Sequence, residues 1–338
     1  GDKFGRAKAI ALSILLMVVS TFAIALIPGY DSIGIAAPIL LIFFRTLQGI
    51  SLGGEYTSVM VHAVENAPAN RRGFYGSFTD FGNQIGVLLG GQFLVLLYSF
   101  FAVDQIYDFA WRIPFLCSLI LLPFMFMLPD NIPEKSHEKK EPLLPMLSAH
   151  KKEMLGAFFI TAFSAVSFYT LLTFLPYYLH SIGALSLDDT ARCSNFACIT
   201  MSVAILAGGY LSDKFGRKPF LYMGVIGGAA TLVVMLMSSS RDMSFWMTTN
   251  GVFGALLGFY YSSRSAFFAE AFPKKIRCTA VSVSFSLAQA IFGGLTPTVI
   301  LKLTQFSREY AVIPVLFVTI AALLALSQLK DRTGEDLR

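Results

Sequence analysis

Four ionisable side chains sit where long apolar runs would normally exclude them. Arg45, Glu55 and His62 fall within the run 35–62, and Asp80 lies one turn into the run 76–100. A charge at membrane depth costs at least ~2.5 kcal/mol on insertion scales, so it usually faces a cavity or a partner. A carboxylate there can load and release a proton, which makes Glu55 the leading proton carrier, ahead of Asp80 and then His62. Arg45 is ten residues from Glu55 on one helix, about 15 Å along its axis, so the two cannot pair. Each position also has a plainer reading. Arg45 could tie helices together, His62 could bond the end of its helix, and Asp80 could favour a helix N-terminus.

A second group suits recognition of a solute. Tyr169, Thr173 and Tyr177 recur at i, i+4 and i+8, beside Pro176, which should kink that helix. The run 244–268 carries Asn250, Tyr260, Tyr261 and Arg264, and Gln48 and Tyr56 lie on the same run as Arg45 and Glu55. Tyrosine rings can surround a quaternary ammonium, and an arginine can hold a carboxylate. Aromatic packing and interfacial anchoring account for any single tyrosine equally well, and Arg264 could snorkel to a helix end. Gly293, Gly294 and Pro297 should interrupt another span and give a hinge.

The elements that must hold these residues are membrane helices. Of 338 residues, 55% are hydrophobic and only 14% charged, against about 25% charged in soluble proteins. Apolar runs fall at 7–28, 35–62, 76–100, 112–129, 154–179, 191–211, 219–238, 244–268, 278–302 and 311–328. Each is close to the ~20 residues needed to cross the hydrocarbon. With a cytoplasmic N-terminus, nineteen of the 26 Lys/Arg fall in cytoplasmic segments and five opposite, with Arg45 and Arg264 inside spans. This bias orients the chain with both ends in the cytoplasm. The net charge of +5 therefore reports topology, and nucleic acid is not an expected partner. Cys117, Cys193, Cys198 and Cys278 lie in or beside spans without metal-ligand spacing, and read as small fillers. No metal, cofactor or enzymatic activity is expected.

The chain also repeats itself. Asp2-Lys3-Phe4-Gly5-Arg6 recurs letter for letter as Asp213-Lys214-Phe215-Gly216-Arg217, each copy in a short loop before a span. Glu65, Pro68 and Arg72 map onto Glu270, Pro273 and Arg277, Gly49 and Gly53 onto Gly254 and Gly258, and Tyr56 onto Tyr261. Gly90-Gly91 maps onto Gly293-Gly294. An even number of spans separates the copies, so the halves run parallel, as in transporters that bind solute between two bundles. The expected organisation is a bundle over 1–129, a cytoplasmic linker over 130–153, and a second bundle over 154–338. The second half shows six spans and the first four, so two helices are expected before Gly1. Gly82-x-x-x-Gly86-x-x-x-Gly90-Gly91 should allow close helix packing.

These motifs carry a resemblance. The repeated loop, with Gly209 four residues before Asp213, resembles the signature loop of the major facilitator superfamily, where it locks one conformation. Arg45-x-x-Gln48-Gly49 resembles the superfamily's fourth-helix motif, whose Arg is linked to proton coupling. Further motifs are Arg45 through Tyr56, Arg72-Gly-Phe-Tyr-Gly-Ser-Phe-Thr-Asp80-Phe-Gly82, Trp111-Arg-Ile-Pro-Phe115, Leu171-Leu-Thr-Phe-Leu-Pro176 and Gly294-Leu-Thr-Pro-Thr298. They resemble the metabolite:proton symporters, most of all the proline/glycine-betaine symporters, over nearly the whole chain. The drug-antiporter signature needs Pro after Gly86, where this chain has Val87.

The resemblance implies an all-α major facilitator fold with ten of its twelve helices present. It implies a monomer in the bacterial inner membrane, importing a proline- or betaine-like zwitterion or an organic acid by proton symport through alternating access. Glu55, Arg45, Asp80 and His62 would couple protons. Gln48, Tyr56, Tyr169, Thr173, Tyr177, Asn250, Tyr260 and Arg264 would line the cavity. Asp2, Gly5, Arg6, Gly209, Asp213, Gly216 and Arg217 would form the conformational loops. The alternatives are an exporter or uniporter of the same fold, or a non-transporting remnant. A C-terminal coiled-coil osmosensor is disfavoured, since 331–338 has no heptads.

Overall fold

A computed structural model describes residues 6–123 and 143–337, and among these residues the regular structure is helical, with no strand. The main helices are α1 (Arg6–Ala25), α2 (Ala36–Glu65), α3 (Arg72–Phe100), α4 (Ala110–Ile120), α5 (Lys151–Ser181) and α6 (Leu187–Phe215). They continue with α7 (Lys218–Met237), α8 (Met243–Ala271), α9 (Arg277–Phe306) and α10 (Val312–Gln328). Each apolar run of the sequence thus meets a helix; the end of the run 112–129 lies outside the described residues. Seven of these segments, in α2, α3, α5, α6, α7, α9 and α10, are long and apolar enough to cross a bilayer. The 29-residue α8 is not among them, because it carries Asn250, Ser262, Ser263, Arg264, Ser265 and Glu270, all buried.

Local chemistry sets the boundaries. The Ser186 hydroxyl accepts the Asp189 N–H at 3.1 Å to cap α6, and Asp188 and Asp189 complement its N-terminal dipole. Asp242 caps α8 through the Ser244 N–H at 3.0 Å. Gly216 ends α6 at φ 89°, which an L side chain rarely adopts, so the repeated loop needs glycine there. Both expected breaks are present, as π-helical turns. Thr170–Phe174 precedes Pro176, and Gln289–Gly293 precedes Pro297. Proline has no N–H to return to the carbonyl four residues back, and the widened turn accommodates that loss.

The chain divides into two compact units: 1–59 with 89–140, and 60–88 with 141–338. This differs from the division at the linker expected from the repeat. The segment 60–88 groups with the second half because buried ion pairs and helix caps tie it there, as described below. In the first unit, Gln48 Nε2 donates to Thr21 Oγ1 at 2.6 Å and Ser51 Oγ to the Ser13 carbonyl at 2.5 Å, joining α2 to α1. Arg112 Nη2 reaches the Ile27 carbonyl at 3.0 Å. In the second unit, α8 is central. A Cβ on Gly254 would meet the Ala197 carbonyl, one on Gly258 the Met201 carbonyl at 2.6 Å, and one on Gly224 the Tyr260 side chain. Small residues let these backbones touch, which is where much packing energy between membrane helices comes from. The stripe Gly82, Gly86 and Gly90 differs from expectation: open space lies over each position.

Candidate functional site

Two clusters of buried charge lie in the second unit. The first surrounds the loop between α6 and α7. Asp213 Oδ1 accepts the Gly73 N–H at 2.7 Å and Oδ2 the Phe74 N–H at 2.9 Å, so a residue of the second repeat copy caps α3 of the first half. Arg217, fully buried, donates to Asp213 at 2.7 Å, to Glu270 at 3.2 Å and to Ser212 Oγ at 3.0 Å. Gly209 lies so close to α3 that a Cβ would meet Ser77 and, at 3.0 Å, the Gly73 carbonyl. Arg277 pairs with Glu65 and donates to the Phe272 carbonyl at 3.0 Å. The structure therefore brings Gly209, Asp213, Gly216 and Arg217 together. Asp2 and Gly5 lie outside the described residues, and Arg6 opens α1.

The C-terminal segment completes this cluster. Asp331 Oδ2 accepts the N–H groups of Arg217 and Lys218, each at 2.9 Å, and Arg72 Nη1 donates to the Glu335 carbonyl at 2.5 Å. Burial pushes the Asp331 carboxyl up, but hydrogen bonds from Lys218, Thr333 and Arg217 outweigh it and leave it below the ordinary aspartate value. A depressed folded value contributes stability that is complete above the unfolded pKa, about 3.9, and is lost as pH falls through the folded value. Asp331→Asn should therefore lower the melting temperature at pH 7, with the gap from wild type closing below about pH 4. A constant gap across that range in a detergent melting series would reject this account.

The second cluster is a buried pair on facing helices. Arg264 Nη2 donates to Asp80 Oδ1 at 2.7 Å and Ser265 Oγ to Asp80 Oδ2 at 2.6 Å, with Asp80 4% and Arg264 2% exposed. Arg264 Nη1 reaches Ser164 Oγ at 3.2 Å. Its guanidinium lies 4.6 Å from the Tyr261 ring centroid and 5.6 Å from that of Phe285. Asp80 is thus more than a helix-start residue, and Arg264 does not snorkel; it is anchored by α5, α8 and α9. Ser164 and Ser265 were not anticipated. Their signal in the sequence is serine clustering inside apolar runs, as at Ser262, Ser263 and Ser265.

The other expected residues are more scattered. Tyr260 is a correction: it is fully buried, donates to the Ile160 carbonyl at 2.5 Å, and stacks edge-on against Phe163 at 5.5 Å. Its Cα and Cβ close the seam over Gly224 and its ring is spent on Phe163, so it lines no open surface. Asn250 is likewise buried, its Nδ2 donating back to the Trp246 carbonyl at 2.8 Å. Tyr169, Thr173 and Tyr177 are all exposed on α5, and a Cβ on Gly293 would come within 2.8 Å of the Tyr169 ring. Asn66 Nδ2 lies 3.1 Å from His62 Nδ1, near the end of α2. In the first unit, Glu55 and Tyr56 are half-buried. Arg45 is exposed, donates to Gln48 Oε1 at 3.4 Å and lies 5.8 Å from the Phe115 ring.

Comparison with known proteins places these features. The proline/betaine transporter of Salmonella typhimurium is 30% identical over 345 residues, covering 96% of this chain and 69% of that protein. The citrate-proton symporter of Klebsiella pneumoniae is 29% identical over 319 residues, covering 92% of this chain and 72% of the relative. Among solved structures, the proton:xylose symporter XylE superposes with a TM-score of 0.78 at 16% identity, over 99% of this chain and 82% of its own. That likeness establishes the fold, with its pseudo-symmetric helix bundles. The Major Facilitator Superfamily signature matches residues 1–297 and again 157–335, the two overlapping matches reflecting the internal repeat. By fold, repeat and relatives, the chain is a multi-pass membrane transporter and belongs to the Major Facilitator Superfamily.

Proposed function

We propose that the protein imports a small zwitterionic or anionic metabolite across the bacterial inner membrane by symport with protons. The observation that carries this reading is the buried Asp80–Arg264 pair, which joins a helix of the first repeat half to one of the second. Alternating access parts helices of the two halves, and that parting leaves a carboxylate and a guanidinium without each other in a low-dielectric setting. Breaking a buried pair is costly unless one charge is neutralised. A proton taken up by Asp80 does this, so the conformational step and the proton are linked. Glu55, half-buried on α2 within an apolar run, is a second proton carrier. The Asp213–Arg217–Glu270 and Glu65–Arg277 contacts act as the lock on the cytoplasmic side. The relatives that carry proline, betaine or citrate by name support this substrate range.

The driving force is adequate. One elementary charge moved through 100 mV is worth ~2.3 kcal/mol, enough to concentrate a solute tens-fold. In proteoliposomes with an imposed proton gradient, uptake of labelled proline, glycine betaine or citrate should collapse when a protonophore is added. Uptake indifferent to the protonophore would reject symport in favour of facilitated diffusion. Glu55→Gln should lose gradient-driven accumulation while retaining counterflow exchange. Full accumulation in that variant would remove Glu55 from the route.

A further inference from the structure

The two π-helical turns meet. Gly293, buried at the end of the turn Gln289–Gly293, faces Tyr169, the residue that leads into the turn Thr170–Phe174. A Cβ on Gly293 would come within 2.8 Å of the Tyr169 ring and 3.0 Å of Gln289 Oε1, so the glycine leaves a gap that a ring edge and an amide share. Phe158 and Phe292, with ring centroids 5.8 Å apart, hold α5 against α9 at this place. The amide is the unusual member. Gln289 is half-buried, and its Oε1 is buried and accepts no hydrogen bond among the described residues. An unmet acceptor in a low-dielectric seam is a standing cost that leucine or methionine would remove.

The backbone does not need this amide. A π-turn disturbs the regular ladder of its helix, but threonines meet the carbonyls concerned. Thr170 Oγ1 donates to the Val166 carbonyl at 2.6 Å, and Thr296 Oγ1 donates to the Phe292 carbonyl. The N–H groups that follow the turns are also taken, that of Leu175 by the Thr170 carbonyl and that of Gly294 by the Gln289 carbonyl. What remains is a client from outside the protein. Tyr169 is 37% exposed and carries the seam to an accessible surface. It lies within electrostatic range of Tyr261, whose ring centroid is 4.6 Å from the Arg264 guanidinium. The amide therefore stands beside the charged cluster on which the functional reading rests.

We propose that Gln289 is a specificity residue whose Oε1 accepts an N–H from the ammonium of the transported solute. An amide can present either end, but the aromatic ring beside it attracts cations, and the oxygen is the end a cation uses. A turn about the last torsion of Gln289 brings Oε1 from the gap to the exposed side of Tyr169. The two groups divide the work. The tyrosine ring attracts any ammonium, methylated or not, whereas the carbonyl bonds only one that carries an N–H. A quaternary ammonium fills the same space and leaves Oε1 unmet, which is how a site built around a hydrogen bond rejects an analogue that lacks it. The favoured solutes are zwitterions with a primary or secondary ammonium. Permethylated zwitterions, and organic acids without an ammonium, bind less well.

This assignment rests on the symport reading for its site, but its test needs no gradient. Labelled proline would be bound to the purified full chain in detergent at constant pH, with N-methylproline and N,N-dimethylproline as competitors. All three share ring and carboxylate; N-methylproline retains one N–H and N,N-dimethylproline has none. N-methylproline should compete within about threefold of proline, and N,N-dimethylproline at least ~10-fold less well. Gln289→Met keeps the length of the side chain and removes the acceptor. It should weaken proline at least ~10-fold and leave N,N-dimethylproline within about threefold of its wild-type affinity, so the gap closes. The melting temperature of that variant should hold or rise, because a buried unmet oxygen has gone.

N,N-dimethylproline competing as well as proline overturns the assignment, as does an equal loss of both ligands in Gln289→Met, or no binding of labelled proline. Should the variant fail to fold, the methylation series on the wild-type protein decides alone. Protonophore-sensitive uptake combined with equal competition by all three prolines rejects the role of Gln289 and leaves symport standing. Protonophore-insensitive uptake combined with the predicted preference rejects symport and leaves the contact at Gln289.

Discussion

Arg217→Ala is expected to destabilise the protein by about 3–5 kcal/mol and to abolish measurable transport. The guanidinium is fully buried and answers two carboxylates, Asp213 at 2.7 Å and Glu270 at 3.2 Å. Removing it strands both, which is far worse than never having had the pair. Asp213 is also the cap on α3, so its displacement frees the N–H groups of Gly73 and Phe74. The discriminating measurement is a double-mutant cycle on melting in detergent. Arg217→Met with Glu270→Gln should recover part of the single-mutant loss, because Asp213, still accepting the Gly73 and Phe74 N–H groups, is then the one carboxylate of the pair left charged. Additive losses would mean that Arg217 acts through packing. The network is also incompletely satisfied: Arg217 Nε and Glu270 Oε2 are buried without hydrogen-bond partners. That deficit lowers the cost of opening, which suits the lock proposed above.

The second large effect concerns glycines that the repeat makes equivalent and the packing does not. Gly254→Ala and Gly258→Ala should each cost about 1–3 kcal/mol, whereas Gly49→Ala should be neutral or stabilise α2 by up to about 1 kcal/mol. A methyl at 254 would press on the Ala197 carbonyl, and one at 258 on the Met201 carbonyl, both backbone atoms of α6 that cannot swing aside. At Gly49 nothing lies within 4 Å, so only the gain in helix propensity remains. Melting of the single variants would decide it. Equal losses at 49 and 254 would mean that the two halves pack alike at these glycines.

The sequence made the spans legible because the bilayer imposes a length and a composition that no soluble segment needs. Correspondence by repeat also identified Glu65 with Glu270 and Arg72 with Arg277. What it could not show is that the partners cross over. Arg277 of the second copy pairs with Glu65 of the first, and Asp213 caps a helix of the first half. Equivalence is one-dimensional information, whereas contact between copies depends on how the halves fold together. For the same reason nothing local joined Asp80 to Arg264 across 184 positions. Tyr260 was misplaced because helical periodicity separates faces without saying whether a face meets solute, lipid or another helix. Asp331 left no trace at all, being one acidic residue in a short polar tail.

The π-helical turns at Thr170–Phe174 and Gln289–Gly293 change what α5 and α9 can do as machine parts. Each stores one residue more than an α-helical turn, a dislocation in an otherwise regular rod. Moving that slack by a turn exchanges hydrogen bonds without losing any, yet rotates everything between its old and new positions by about 100°. Pro176 and Pro297, lying just beyond, block its travel in one direction and leave the other open. Side chains beside either turn can therefore swivel to new neighbours while the rest of the helix stays clamped in place.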